Sequence, residues 1–238
     1  MQPESEQRMK KENKMSYAIA IDGPAGAGKS SIARRMAEKL DIIYVDTGAL
    51  YRVIGLAVYR EAGMCQDPDE ISRIADQVDV SLCHNEMGQR VFLGEEDVSE
   101  EIRREEISQM ASIVSAVPFV REKLLSLQRD MAKSQSVVMD GRDIGTRILP
   151  DAKYKVFLVC PAEERAGRRL RQLKEQGLTG DYDQILADIH ERDHRDMTRE
   201  ISPLVKADDA IEFDTTGHTA ESSANELIEV LGLCPKSC

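Results

Sequence analysis

The 238-residue chain is predicted to fold as an α/β domain around a mainly parallel sheet. Two patterns carry that prediction. Short runs rich in Val and Ile alternate with longer helical patterns, as strands and crossover helices do in parallel sheets. The first run also leads at once into a glycine-rich loop that opens a helix, giving a strand–loop–helix unit. A hydrophobic content of 41% is enough for a sizeable core. The length fits one large domain, or a core with a small insert.

The strand candidates are Ala18–Asp22, Ile42–Asp46, Ser136–Asp140, Tyr154–Val159 and Ile211–Asp214. They are mostly apolar throughout, as strands covered on both faces should be. After the first comes Gly23-Pro24-Ala25-Gly26-Ala27-Gly28-Lys29-Ser30, a complete G-x-x-x-x-G-K-[ST] loop, and then a helical pattern from Ser30 to Leu40. The chemistry explains this spacing. Glycines let successive backbone N–H groups turn inward around phosphate oxygens, and the helix points its positive end at the same anion. Lys29 is placed to reach β- and γ-phosphates, and the Ser30 hydroxyl to ligate Mg²⁺. The loop points to a nucleoside triphosphate and leaves the acceptor open.

The second strand ends in Asp46-Thr47-Gly48-Ala49-Leu50-Tyr51-Arg52. Ligands of doubly wound sheets sit beyond the carboxyl ends of strands, so Arg52 is a candidate clamp for an acceptor phosphate, with Thr47 beside it. Asp46 and Thr47 are equally suited to capping the helix that follows. In that helix Leu50, Val53, Ile54, Ala57 and Val58 form one core-facing stripe. Asp67-Pro68-Asp69-Glu70 reads as a helix start, with a capping Asp, Pro at the first helical position and Glu at the third. Pro118 and Pro161 are expected to open two further helices in the same way. From about Arg73 to Glu105 the pattern changes. Two strand-like runs, Val80–Cys83 and Arg90–Leu93, flank Asn85-Glu86-Met87-Gly88, and a charge-rich stretch follows. This reads as a small β-containing insert.

The third core strand leads into Asp140-Gly141-Arg142-Asp143. Asp140, directly after an apolar run, is placed like a Walker-B acid that holds Mg²⁺ directly or through water. Gly141 implies a close backbone approach or an unusual dihedral. Arg142 and Asp143 either project into the same crevice or close a turn as an ion pair. Further along, Arg192, Arg195, Asp196 and Arg199 share one helical face. Three guanidiniums on a face repel unless an anion joins them, and a triphosphate is such an anion. A solvated salt-bridge face, balanced by Asp188 and Asp196, is the other reading. Arg165, Arg168, Arg169 and Arg171, with the polar turn around Gly177 to Asp181, suggest a mobile arginine-rich lid.

Bulk properties narrow the class. The net charge of −11 argues against nucleic-acid binding. No apolar stretch approaches a membrane span. Met1 to Lys14 is polar, lacks the apolar core of a secretory signal, and is expected to be a disordered extension, with Met15 an alternative start. Cys65, Cys83, Cys160, Cys234 and Cys238 form no C-x-x-C pair and read as reduced thiols of a cytoplasmic protein. His84, His190, His194 and His218 show no metal spacing. The lack of a nucleophile–base signature suits phosphoryl transfer, where the protein mainly positions groups and neutralises charge.

Taken together, Ile21–Ser30, Asp46–Arg52, Asp140-Gly141-Arg142-Asp143-Ile144-Gly145-Thr146, and Glu191-Arg192-Asp193 through Arg195-Asp196 resemble the bacterial cytidylate kinases. The resemblance runs in order over roughly residues 16 to 233, leaving 1–15 and the tail 234–238 outside. It implies the nucleoside monophosphate kinase fold: a five-stranded parallel sheet flanked by helices, a monophosphate-binding insert over about 73–105 and a helical lid over about 165–199. The implied activity is transfer of the γ-phosphoryl of ATP to CMP or dCMP with Mg²⁺, by a monomer. ATP would be held by Gly23, Pro24, Ala25, Gly26, Ala27, Gly28, Lys29, Ser30 and Ser31, with Arg168 from the lid, and the metal by Ser30 and Asp140. Thr47 and Arg52 match positions near the acceptor phosphate, and Ser112, Arg121 and Asp143 match positions that read the cytosine. Arg142 and Arg199 match phosphate ligands, and Asp196 with Arg192 matches the contact to sugar and acceptor phosphate. Lys29, Arg142, Asp143, Arg192, Asp196 and Arg199 would form the catalytic set. A carboxylate at Asp143 accepts from the cytosine N4 amino group, whereas uracil would oppose it with an acceptor.

Overall fold

In the computed structural model, residues 16–85 and 88–235 are described, so the expectations for 1–15 and for Cys238 lie outside the described residues. Five strands form one parallel sheet: β1 (Ala18–Asp22), β2 (Ile43–Asp46), β6 (Val137–Gly141), β7 (Tyr154–Val159) and β8 (Ile211–Asp214). Their order across the sheet is β2-β6-β1-β7-β8, and every pairing is parallel. Three strands keep their expected limits, and β2 and β6 shift by one residue.

Alternation along β1 shows why its run is apolar on both sides. Ile19 and Ile21 face a core shared with α1 (Lys29–Leu40) and α8 (Ala220–Val230). Ala20 faces the opposite core, with Val45, Val137, Met139, Ile144 and Ile148. All three residues are fully buried, as both faces of a parallel sheet require. A third core joins α2 (Thr47–Ala62), α3 (Pro68–Gln77), α4 (Glu105–Val114) and α5 (Pro118–Ser134). The expected stripe of α2, Leu50 to Val58, is buried at all five positions.

The insert contains three strands: β3 (Val80–Asn85), β4 (Gly88–Leu93) and β5 (Glu96–Asp97), paired antiparallel in that order. Val91, Val98 and Ile102 pack with Ala49, Val53 and Leu56, which seats this small sheet on α2. At the start of α3, Asp67 accepts from the Asp69 N–H, but Glu70 turns to Arg73, so half of the expected capping pair is absent. Pro118 occupies the first turn of α5 as expected, whereas Pro161 sits one place earlier, at the N-cap of α6 (Ala162–Glu175). α7 (Tyr182–Thr198) follows a short turn, so the expected lid region is two helices.

Candidate active site

The carboxyl ends of β1, β2 and β6 lie side by side, with Asp46 opposite Asp140 and Asp22 opposite Gly141. Each strand end carries a piece of the site. Beyond β1, the glycine-rich loop bends through a left-handed backbone at Gly23, with φ of 149°. A Cβ there would lie 2.5 Å from the Leu158 carbonyl oxygen, so only glycine fits. The loop delivers Lys29 and Ser30 to the first turn of α1, which begins at Lys29, one residue earlier than expected. Lys29 is buried, and its Nζ donates to the Pro24 carbonyl at 2.6 Å. Burial and the Arg142 guanidinium push its ammonium well below the ordinary lysine range, against the pull of Asp140 and Asp196. Ser31 lies exposed in the same turn.

Ser30 Oγ donates to Asp140 Oδ2 at 2.9 Å, and Tyr44 Oη donates to Oδ1 at 2.9 Å. Burial, with the neighbouring Asp46 carboxylate, raises the Asp140 carboxyl above the usual range. A hydroxyl and a carboxylate in contact at the end of the loop are a fitting donor set for Mg²⁺, which binds through one or two protein groups plus substrate phosphates. Among the described residues no cluster of three or more His, Cys, Asp or Glu could hold a metal.

At the end of β2, Asp46 caps α2 by accepting from the Ala49 N–H at 3.0 Å and pairs with Arg52 at 3.4 Å. Thr47 is buried, and its hydroxyl donates to the Asp140 carbonyl at 2.8 Å. At Gly141 the expected close approach is present: a Cβ would meet Thr47 Oγ1 at 2.9 Å and Ile144 Cδ1 at 2.6 Å.

A single cleft is lined by Thr47, Arg52, Ser112, Arg121, Arg142, Asp143, Arg192, Asp196 and Arg199, together with Gly48, Tyr51, Ala111, Ser115 and Gly141. All nine residues expected around an acceptor therefore converge, from five separate stretches of the chain. Arg142 Nε donates to Asp196 Oδ2 at 2.7 Å. Burial would raise the Asp196 carboxyl, but Arg142, Arg192 and Arg199 together hold it below the usual range. Arg121 forms a buried ion pair with Asp143, stacks over the Tyr51 ring at 5.4 Å and donates to the Ser115 carbonyl at 3.1 Å. Arg199 approaches Asp143 at 3.8 Å and Asp196 at 4.0 Å.

Among the described residues, several donors in this cleft lack hydrogen-bond partners. Ser112 Oγ, Arg192 Nε and one terminal nitrogen of Arg199 are buried without a hydrogen bond. Among the described residues Arg192 makes no close ion pair, and burial with the repulsion of Arg142 lowers its guanidinium to about 10 despite the attraction of Asp196. Unpaired buried cations are costly in a fold unless a ligand completes them.

The arginine-rich segments divide in a way the sequence reading did not resolve. Arg195 does not join the cleft and pairs with Glu191 at 3.7 Å, while Asp188 accepts from Gln184 rather than balancing the face. Arg199 lies just past the end of α7. Arg165 is a buried pin, donating to the Cys160 and Ala25 carbonyls at 3.0 and 2.9 Å and pairing with Asp193. Arg168 donates to Thr215 and lies beside Gly28, at the donor side. Asp22 was missed as well. It accepts from the Ile144 and Gly145 N–H groups at 2.8 and 2.7 Å, fixing the single turn of π-helix (Ile144–Ile148) behind Asp143. Burial pushes its carboxyl up to about 6 despite those two bonds. A charged residue ending an apolar strand was the only signal.

A family model described as cytidylate kinase matches residues 19–232. The cytidylate kinase of Caldicellulosiruptor saccharolyticus is 49% identical over 212 residues, 89% of this chain and 94% of that protein. That of Caldanaerobacter subterraneus subsp. tengcongensis is 48% identical over 217 residues, 91% and 95% of the two chains. That of Carboxydothermus hydrogenoformans is 45% identical over 214 residues, 90% and 96%.

Proposed function

The chain belongs to the cytidylate kinase family, and from that premise we propose how its residues transfer the γ-phosphoryl of ATP to CMP or dCMP. The observation that carries the assignment is the cleft itself. It gathers Arg52, Arg142, Arg192 and Arg199, of which Arg142 and Arg192 lie close enough to Lys29 to act on its charge, and among the described residues Arg192 Nε has no hydrogen-bond partner.

The loop amides and Lys29 hold the donor phosphates, and Lys29 exchanges its Pro24 carbonyl for a phosphate oxygen. Ser30 and Asp140 would hold Mg²⁺, which would supply Lewis-acid neutralisation of the phosphate charge when bound. Arg168 and Ser31 complete the donor side. Arg52, Arg142, Arg192 and Arg199 surround the acceptor phosphate and the charge that develops during transfer. Asp196 fixes Arg142 and Arg199 and lies where the sugar of the acceptor would pass. Ser112, Arg121 and Asp143 read the base: Ser112 offers an unused hydroxyl, and Asp143 accepts from the cytosine amino group. No strong base is required, because the attacking phosphate oxygen is already anionic. The insert 73–105 closes the monophosphate side. Helices α6 and α7 act as the lid that excludes water and suppresses ATP hydrolysis. Among the described residues no helix is long and apolar enough to cross a membrane, and the enzyme acts as a cytoplasmic monomer on small substrates.

An acceptor screen tests the reading. ADP release is measured with CMP, dCMP, UMP, AMP and shikimate in turn. Turnover is expected to be strongest with CMP or dCMP and to depend on the acceptor. Strong turnover with AMP and none with CMP would overturn it.

A further inference from the structure

Strand β2 is an outer strand of the five-stranded sheet, so among the described residues its far side carries backbone groups that no strand satisfies. The Ile43 N–H bonds inward to Ser136, which turns the backbone groups of Tyr44 and Asp46 outward. The insert fills this edge with side chains. The Gln89 carboxamide makes two bonds to one residue, accepting from the Asp46 N–H at 2.8 Å and donating to the Asp46 carbonyl at 3.2 Å. His84 Nε2 lies 2.7 Å from the Tyr44 carbonyl oxygen, where a ring N–H donates. Gln89 and His84 oppose each other in the β3–β4 ladder, so the two contacts come from one cross-strand pair.

The residue so held is the hinge of the acceptor side. Asp46 caps α2, pairs with Arg52 and precedes Thr47, while Tyr44 directs its hydroxyl at Asp140. We propose that Gln89 is a positioning residue for the acceptor half of the site: its carboxamide stands in for a missing strand on β2 and so fixes Asp46 and, through it, Arg52 and Thr47. This inference rests on the reading of the cleft as the CMP site. Gln89 touches no substrate. Its effect reaches the acceptor through the backbone of Asp46, whereas the phosphate-binding loop follows β1, separated from β2 by β6.

The test uses the full-length enzyme with Gln89→Ala, Gln89→Leu and, as a control on the cleft, Arg52→Ala. Leucine keeps the bulk of glutamine and removes only its hydrogen bonds. Both Gln89 variants are expected to raise KM for CMP about 10-fold, the order of one or two lost hydrogen bonds. KM for ATP should stay within about 2-fold of wild type. Amide hydrogen exchange across Asp46 should quicken in both, with the Tm of the leucine variant close to wild type. If Gln89→Leu leaves KM for CMP unchanged while Arg52→Ala raises it, the positioning role is overturned. A fall in kcat with both KM values unchanged would also overturn it, because that marks loss of folded enzyme. If Arg52→Ala too leaves KM for CMP unchanged, the placement of CMP in this cleft fails, and the role of Gln89 with it.

Discussion

Asp143 is held from both sides, by the ion pair with Arg121 and by Arg199 at 3.8 Å, with its side chain 5% exposed. A carboxylate fixed this way cannot swing to suit a different base. On the proposed reading cytosine would present an amino donor to it and uracil a carbonyl acceptor, so the site would discriminate by leaving like groups opposed. Asp143→Asn keeps the shape and introduces an N–H donor. The ratio of kcat/KM for CMP over UMP is expected to fall roughly 10- to 100-fold, the scale of about 1–3 kcal/mol for a base-edge contact. KM for ATP should hardly move. Equal losses for both acceptors and for ATP would make Asp143 a structural residue. The place of Asp143 in the crevice was legible from its position just after an apolar strand, whereas its base-reading role, like those of Ser112 and Arg121 inside α4 and α5, was implied only by the family resemblance. Asp22, Gln89 and Arg165 were not legible. Each bonds to backbone atoms 43 to 140 residues away, and that geometry exists only after the sheet has formed.

Helices α6 and α7 are joined by Arg165 and Asp193, with Arg165 Nη1 3.1 Å from Asp193 Oδ1. The same nitrogen reaches the Ala25 carbonyl of the phosphate-binding loop. This part of the helical pair is therefore fixed to the donor loop, and any lid motion belongs to the segment beyond it. Breaking one partner of a buried pair strands the other charge. Arg165→Met and Asp193→Leu should each cost on the order of 3–5 kcal/mol, or roughly 10 °C in Tm for a domain of this size. The double substitution should recover part of the loss. Urea unfolding of the four proteins measures this, and single substitutions costing below about 1 kcal/mol would rule out a structural pin. The same scale shows where reading elements from sequence fails. The parallel strands were visible because burial on both faces makes them apolar throughout. β5 was not visible, since it is two acidic residues, Glu96 and Asp97, paired to Leu93 and Phe92. Its position follows from the β4 turn and the packing of Val98 on α2 rather than from its own composition.

Over the whole molecule, an acidic chain of net charge −11 concentrates arginines at one cleft. The fold assembles Arg52 from α2, Arg142 from the end of β6, Arg192 from α7 and Arg199 from the segment after it. Asp46 and Asp196 balance part of that charge, and among the described residues Arg192 makes no close ion pair and its Nε no hydrogen bond. Its guanidinium lies below its ordinary range because folding disfavours the charged form, yet at about 10 it is still charged at neutral pH. Folding without ligand therefore carries a cost, which an acceptor phosphate bound as proposed would relieve. Replacing Arg192 with Met removes that cost together with the contact. The ligand-free Arg192→Met protein is expected to be more stable than wild type at pH 7, on the order of 1 kcal/mol after allowing for its partial exposure. Wild type in CMP at about 100 times its Kd should gain about 2.7 kcal/mol. The variant at the same CMP concentration should gain only about 0.3–1.3 kcal/mol, because loss of a charge-assisted bond of about 1.5–3 kcal/mol weakens binding by that amount. Thermal unfolding with and without CMP reads both effects at once. A variant less stable than wild type that kept the full CMP increment would mean that Arg192 supports the fold and has no part in holding the acceptor.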